Sequence, residues 1–259
     1  MSFPAAWLDL REPADRVARD PALLASAAAH LGNGWAVDLG CGTGATARAF
    51  GPGARWRLVD RDEGLLAEAR ARLPDARVHA LDLGALDALP LDGARLVTAS
   101  ALFDLMPEDW ILALADRLAA AELGVYAALT YDGALAWDPP AAGDAGVRAA
   151  FNAHQRRDKG LGPALGPDAA PAFAAAMRDR GYSVRVAASS WVLGPGALRD
   201  ELEAGLAVAA VETGYDAAPW TLARRASSGA GSVTVGHVDV LALPPGRRAQ
   251  SKITSVSSP

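Results

Sequence analysis

Short unbroken apolar runs alternate with longer stretches of helix formers, and this alternation runs through the first half of the chain. Positions 35–39, Trp-Ala-Val-Asp-Leu, read as a buried strand bounded by glycines, and 55–59, 77–81, 96–100 and 125–129 read the same way. Helices are expected between them over 45–50, over 63–72 with Pro74 as the stop, and over 108–121. Ahead of the first strand, 21–31 should be helical, with Asp20 as cap, Pro21 at the first helical position and Gly32-Asn33-Gly34 as the end. Strands that take turns with helices imply a parallel sheet covered on both faces, a doubly wound α/β fold of Rossmann-like type. One residue departs from the pattern: Asp38 puts a carboxylate inside an apolar strand.

Beyond Thr130 the rhythm changes. Positions 131–143 are rich in Gly, Pro and Asp and read as a loop, and 144–159 read as a helix, so a cap insertion is expected over about 131–168. A helix over 169–180 leads through Gly181 to a strand near 182–187. Helical segments at 197–211 and 220–226 form a second insertion of about 195–229, and 233–241 supplies the last strand. The expectation is one domain over 1–243 with helical cap insertions, then a mobile tail over 244–259.

Composition narrows the partners. Of 259 residues, 51% are hydrophobic and 21% charged, which excludes a charge-rich disordered chain. Twenty-five basic against thirty acidic residues leave a net charge of −5, which disfavours nucleic acid. The single cysteine, Cys41, excludes an intramolecular disulfide, leaves too few thiolates for structural zinc and fits a cytoplasmic setting; no metal site is expected. No run of about 18 apolar residues occurs, and charge begins at Asp9 where a secretory signal would stay apolar. A small-molecule partner remains, with no membrane role; no sequence feature specifies an oligomeric state.

The candidate chemistry begins at Asp38-Leu39-Gly40-Cys41-Gly42-Thr43-Gly44-Ala45, a glycine-rich turn between the first strand and a helix. Such glycines allow positive φ and let a ligand rest on bare backbone. Gly40, Gly42 and Ala45 also satisfy Gly-x-Gly-x-x-Ala, with Asp60 about twenty residues on, so a dinucleotide site competes. Charge separates the two: a pyrophosphate wants unopposed backbone N–H groups, whereas Asp38 sets a carboxylate just before the turn. A zwitterionic sulfonium ligand would accept it.

On these residues the chain resembles the class I S-adenosylmethionine-dependent methyltransferases, whose first motif runs acidic-x-Gly-x-Gly-x-Gly, over roughly 30–130. The resemblance implies S-adenosylmethionine as cofactor and an antiparallel last strand. It implies that Asp60 binds the ribose hydroxyls, that Arg61 flanks the adenine, and that Asp82, followed by Leu83, reaches the adenine amino group. Asp38, Gly40, Cys41, Gly42 and Gly44 would cradle the cofactor, Ser100 would line its methionine end, and Arg19 is a candidate for its carboxylate. As bland alternatives, Asp60 and Asp82 are strand-end turn residues, and Arg11, Asp15 and Arg19, spaced by four, are a surface ion-pair ladder.

Transfer also needs acceptor positioning, exclusion of water and, for a protonated acceptor, a base. Val147, Phe151, His154 and Asp158 fall on one stripe of the inserted helix, so His154 is a candidate catalytic residue, as is Asp104 after the fourth strand. Phe103, Tyr131, Arg157 and Asp158 are candidates for acceptor binding. The bland readings are a docking face for the stripe, a solvated basic face for Arg156, Arg157 and Lys159, and a cap for Asp104. His237 reads as a core or rim histidine. The expected activity is methyl transfer to a small molecule by direct displacement. Alternatives are a cyclase or aminocarboxypropyl transferase using the same cofactor, a nicotinamide-dependent oxidoreductase, and a non-catalytic cofactor-binding protein.

Overall fold

The computed structural model describes residues 3–226 and 229–245. The alternating half holds α1 (Ala5–Ala18), α2 (Pro21–Leu31), β1 (Trp35–Leu39), α3 (Ala45–Phe50), β2 (Arg55–Asp60), α4 (Glu63–Arg72), β3 (Arg77–Ala80), β4 (Ala94–Ser100) and α5 (Glu108–Ala120). The second half holds β5 (Gly124–Asp138), α6 (Asp144–Gln155), α7 (Ala169–Asp179), β6 (Ser183–Ala188), β7 (Trp191–Leu193), α8 (Ala197–Glu212), α9 (Ala218–Ala226) and β8 (Ser232–Leu243). The Asp20 carboxylate caps α2 by accepting from the Leu23 amide, with Pro21 in the first turn.

One sheet runs β3-β2-β1-β4-β5-β8-β6, with β7 also paired to β8. The first five strands are mutually parallel, and β8 is antiparallel to its neighbours. Successive residues of the central strands are buried on opposite faces: Val37, Leu39, Val97 and Val125 pack towards α5 and α7, and Ala36, Leu58, Leu96 and Tyr126 towards α2, α3 and α4. Burial on both sides explains why these strands are apolar throughout. A third cluster, with Leu135, Trp137, Val147, Trp191, Leu206 and Trp220, fills the cap.

Two expectations need correction. The loop expected over 131–143 is strand as far as Asp138, because Leu135 and Trp137 alternate inward and pair with Val235 and Val233 of β8. The inserted helix ends at Gln155 rather than 159, and β7 has no counterpart in the sequence reading. Of the tail expected over 244–259, residues 246–259 lie outside the described residues. No helix among the described residues is long and apolar enough to cross a membrane.

The first helix lies across the carboxyl ends of the parallel strands and is tied there by ion pairs, Glu12 with Arg48 of α3 and Asp9 with Arg72 of α4. Its residues Leu8 and Arg11, with Phe3 just ahead of it, form one side of the groove described next.

Candidate functional site

Gly40 (φ 61°) and Gly42 (φ 53°) carry the chain from β1 towards α3 in left-handed conformations that a side chain would oppose. A Cβ at Gly42 would come within 2.9 Å of Leu8 Cδ1, and one at Gly40 within 3.2 Å of Leu102 Cδ1. The turn is therefore bare backbone roofed by neighbouring side chains. Asp60, at the end of β2, locks it: Oδ2 accepts from the Gly42 amide at 2.9 Å and Oδ1 from the Asp62 amide at 3.0 Å.

Gly40, Gly42, Asp60, Arg61, Asp82, Leu83 and Ser100 line one crevice at the carboxyl ends of the parallel strands. The Arg61 guanidinium lies 3.8 Å from the Asp82 carboxylate, both half exposed, and the Leu83 carbonyl accepts from Trp110 Nε1. Asp82 Oδ1 accepts from the Gly84 amide. Three of the expected cradle residues lie behind the wall. Cys41 is buried, its amide bonded to the Val59 carbonyl, and burial with the Asp38 and Asp60 charges pushes its thiol far up. It is no nucleophile. Gly44 opens α3, and a Cβ there would meet Leu73.

Asp38 is 1% exposed; its Oδ1 accepts from Thr98 Oγ1 at 2.6 Å and its Oδ2 has no partner. Burial raises its carboxyl to about 7, against the Thr98 hydrogen bond and the Arg19 charge. Arg19, 4% exposed, donates Nη2 to Ser100 Oγ at 3.0 Å and leaves Nη1 unpaired. A buried carboxylate oxygen and a buried guanidinium nitrogen, both without partners, are costly unless something answers them. The ammonium and carboxylate of a methionyl group carry the complementary charges, so these residues fit S-adenosylmethionine.

The acceptor candidates are not brought together. Phe103 does not line the crevice; it is buried, its ring centroid 4.7 Å from that of Phe173, because the turn after β4 folds down onto α7. Tyr131 is buried beneath α6, its hydroxyl donating to Asn152 Oδ1, and burial raises its ionisation. His154 Nε2 lies 3.0 Å from Glu212 Oε2 of α8, and Arg157 donates to the Glu212 carbonyl, and neither lines the crevice. Burial and the neighbouring Lys159 hold the His154 imidazole below its usual range. Asp158 leaves the predicted stripe because α6 stops three residues earlier; it accepts from the Gly160 and Gly162 amides in a turn.

Asp104 is buried beside that region with Oδ1 unpaired. Desolvation pushes its carboxyl up to about 6, opposed by its own amide, by Arg11, by the Tyr131 amide and by Lys159. A folded-state value above the unfolded 3.8 means the folded chain keeps a proton that the unfolded chain releases between about pH 4 and 6. The burden is absent below pH 4 and complete above pH 6. Asp104→Asn should therefore raise unfolding free energy by about 1–3 kcal/mol at pH 7.5 and by much less at pH 4.5; urea unfolding at both values checks this, and an equal change at both would contradict it.

The expected surface ladder is also corrected. Arg11 pairs with Asp15 in two hydrogen bonds, its guanidinium lies 4.9 Å from the Trp191 ring centroid, and Asp15 is buried and accepts from Trp191 Nε1. His237 is a core histidine between Tyr131 and Trp191, its Nδ1 unpaired and its ring held down to about 3 by burial. Phe3, Leu8, Arg11 and Leu161 line the crevice and were missed as site residues; Lys159, which the sequence offers with Arg156 and Arg157 as either an anion contact or a solvated basic face, also lines it. The Arg11–Asp15 spacing hinted at a pair, but only contact with β7 shows which way it faces.

No protein-family model matches the chain. A trans-aconitate 2-methyltransferase of Rhizobium meliloti (strain 1021) is 37% identical over 112 residues, 42% of this chain and 42% of that protein, so the match spans about two-fifths of the relative. Among solved structures, a protein of Bacillus halodurans C-125 described as a candidate methyltransferase superposes with a TM-score of 0.53 at 13% identity, covering 86% of this chain and 96% of that one. A cyclopropane-fatty-acyl-phospholipid synthase-like protein from Lactobacillus casei ATCC 334 gives 0.54 at 14% identity, covering 89% and 90%. The chain therefore shares its fold with these structures, and over 112 residues it is similar in sequence to a methyltransferase.

Proposed function

We propose that the protein transfers the methyl group of S-adenosylmethionine to a small-molecule acceptor in the cytoplasm. The observation that carries this is a pair of buried polar atoms without hydrogen-bond partners, Asp38 Oδ2 just before the bare glycine turn and Nη1 of Arg19, whose Nη2 bonds the crevice residue Ser100. Asp60 and Asp82 follow at the ends of β2 and β3. In this reading Asp60 accepts from the ribose hydroxyls, Asp82 and Leu83 meet the adenine edge, and Arg61 flanks its face. Asp38 and Arg19 answer the methionyl charges. When bound, the cofactor supplies an electrophilic methyl on a cationic sulfur. A nicotinamide dinucleotide would set its pyrophosphate near the Asp38 carboxylate, which argues against it.

Calorimetry tests the reading: S-adenosylhomocysteine should bind with a micromolar Kd, and NAD or NADP at least tenfold more weakly. The reverse order would overturn it. Trans-aconitate, the acceptor named for the Rhizobium meliloti relative, is the first acceptor to assay. Release of S-adenosylhomocysteine marks methyl transfer, and release of methylthioadenosine would mark transfer of the aminocarboxypropyl arm instead.

A further inference from the structure

Asp239 interrupts the apolar run of β8 between Val238 and Val240 and is fully buried. A carboxylate there is costly unless donors meet it, and three do. Oδ1 accepts from the Leu129 amide at 2.8 Å, and Oδ2 accepts from the Tyr126 hydroxyl at 2.7 Å and the Asp20 amide at 3.0 Å. Asp20 is the N-cap of α2, so no carbonyl of that helix serves its amide; Asp239 does.

Each of the two amides belongs to a peptide unit with a second tie. The Asp20 amide lies in the peptide that joins it to Arg19, whose Nη2 donates to Ser100 Oγ at 3.0 Å. The Leu129 amide lies in the peptide that joins it to Ala128, whose carbonyl accepts from the Ala101 amide at 3.0 Å. Ser100 and Ala101 are neighbours, and both line the crevice. The contacts therefore close a ring, from Asp239 through Arg19, Ser100, Ala101 and the Ala128–Leu129 peptide back to Asp239. Two residues of that ring, Ala101 (φ 48°) and Leu129 (φ 54°), are non-glycine residues in the left-handed region. Side chains oppose that conformation, and it persists where the surroundings hold it.

We infer that Asp239 is a positioning residue for the carboxylate of the cofactor: it sets the place of Arg19 and Ser100 without itself lining the crevice. The inference rests on the cofactor reading above. Both Asp239 oxygens face a backbone N–H, which can only donate, so an asparagine must turn its own NH2 towards one of them. The Oδ2 place suits it, because the Tyr126 hydroxyl can reverse and accept, and the Asp20 amide then loses its partner.

The test is calorimetric titration of the full chain with two ligands. One is S-adenosylhomocysteine; the other is methylthioadenosine, which keeps the nucleoside and thioether but carries neither ammonium nor carboxylate. Asp239→Asn should raise the Kd for S-adenosylhomocysteine about tenfold or more and leave that for methylthioadenosine within about twofold. In an Arg19→Met background the same substitution should add less than about threefold, because the group it positions is gone. Circular dichroism and melting temperatures show which variants fold. Should Asp239→Asn not fold, Asp20→Pro and Asp20→Ala decide the matter. Both lose the capping carboxylate, the Asp20 φ of −66° accepts proline, and only the proline lacks the N–H that Asp239 holds. The proline variant should bind S-adenosylhomocysteine at least about fivefold more weakly than the alanine variant, with methylthioadenosine unchanged between them; equal affinities would overturn the inference. Equal weakening of both ligands by Asp239→Asn, or a lowered melting temperature with the Kd for S-adenosylhomocysteine within about threefold of the parent, would make Asp239 a structural acceptor and overturn it too. If S-adenosylhomocysteine does not bind the parent chain, the cofactor reading fails and the inference falls with it.

Discussion

Asp60→Ala should weaken S-adenosylhomocysteine binding about 100-fold. Each hydrogen bond to a charged group contributes about 1.5–3 kcal/mol, and this carboxylate is placed to accept two from the ribose, a loss of about 3 kcal/mol. The same oxygens hold the Gly42 and Asp62 amides, so their removal also loosens the turn against which the ligand rests. Asp60→Asn separates the effects, because an amide keeps one acceptor oxygen but carries no charge; its Kd should fall between the two. Calorimetry with both variants, and circular dichroism to show that each remains folded, decides the matter. A Kd within threefold of the parent for Asp60→Ala would leave Asp60 a turn residue and nothing more.

Phe103→Ala should cost stability rather than acceptor affinity. Its ring is 1% exposed and meets Phe173 and Trp110 edge-on, with centroids 4.7 and 6.1 Å away. Truncating a buried phenylalanine removes about 3–5 kcal/mol through lost transfer free energy and the space left behind. Urea unfolding should show about 4 kcal/mol, with the Kd for S-adenosylhomocysteine within threefold. A loss below about 1 kcal/mol, accompanied by a raised acceptor KM, would return Phe103 to the crevice wall.

The parallel half of the fold is legible in the sequence because β1, β2, β4 and β5 are buried on both faces, and such strands announce themselves as apolar runs between glycines and helices. The continuation of β5 is not. Asp132 and Gly133 read as a turn, and the sheet absorbs them in a register shift between Tyr131 and Leu135 that depends on β8, a hundred residues away. β7 is three residues long and owes its existence to the same partner.

The glycine-turn side of the crevice is likewise readable, since a contiguous turn and two strand ends supply Gly40, Gly42, Asp60 and Asp82. The rest of the lining draws Arg11 from α1 and Lys159 from a turn after α6, and no local spacing connects them. His154 and Asp158 fail for different reasons: the packing of α6 on α8 carries His154 to Glu212, whereas the end of α6 at Gln155 takes Asp158 off the stripe and leaves Lys159 in a turn that lines the crevice.

Trp137, Trp191 and Trp220 all lie in the cap cluster and Trp7 packs against it, so four of the seven indoles in the chain sit there. Intrinsic emission from this protein therefore reports mainly on the cap, whereas far-ultraviolet dichroism weighs the whole sheet and its helices. Followed by both signals, denaturation distinguishes a cap that loosens early from a chain that comes apart in one step.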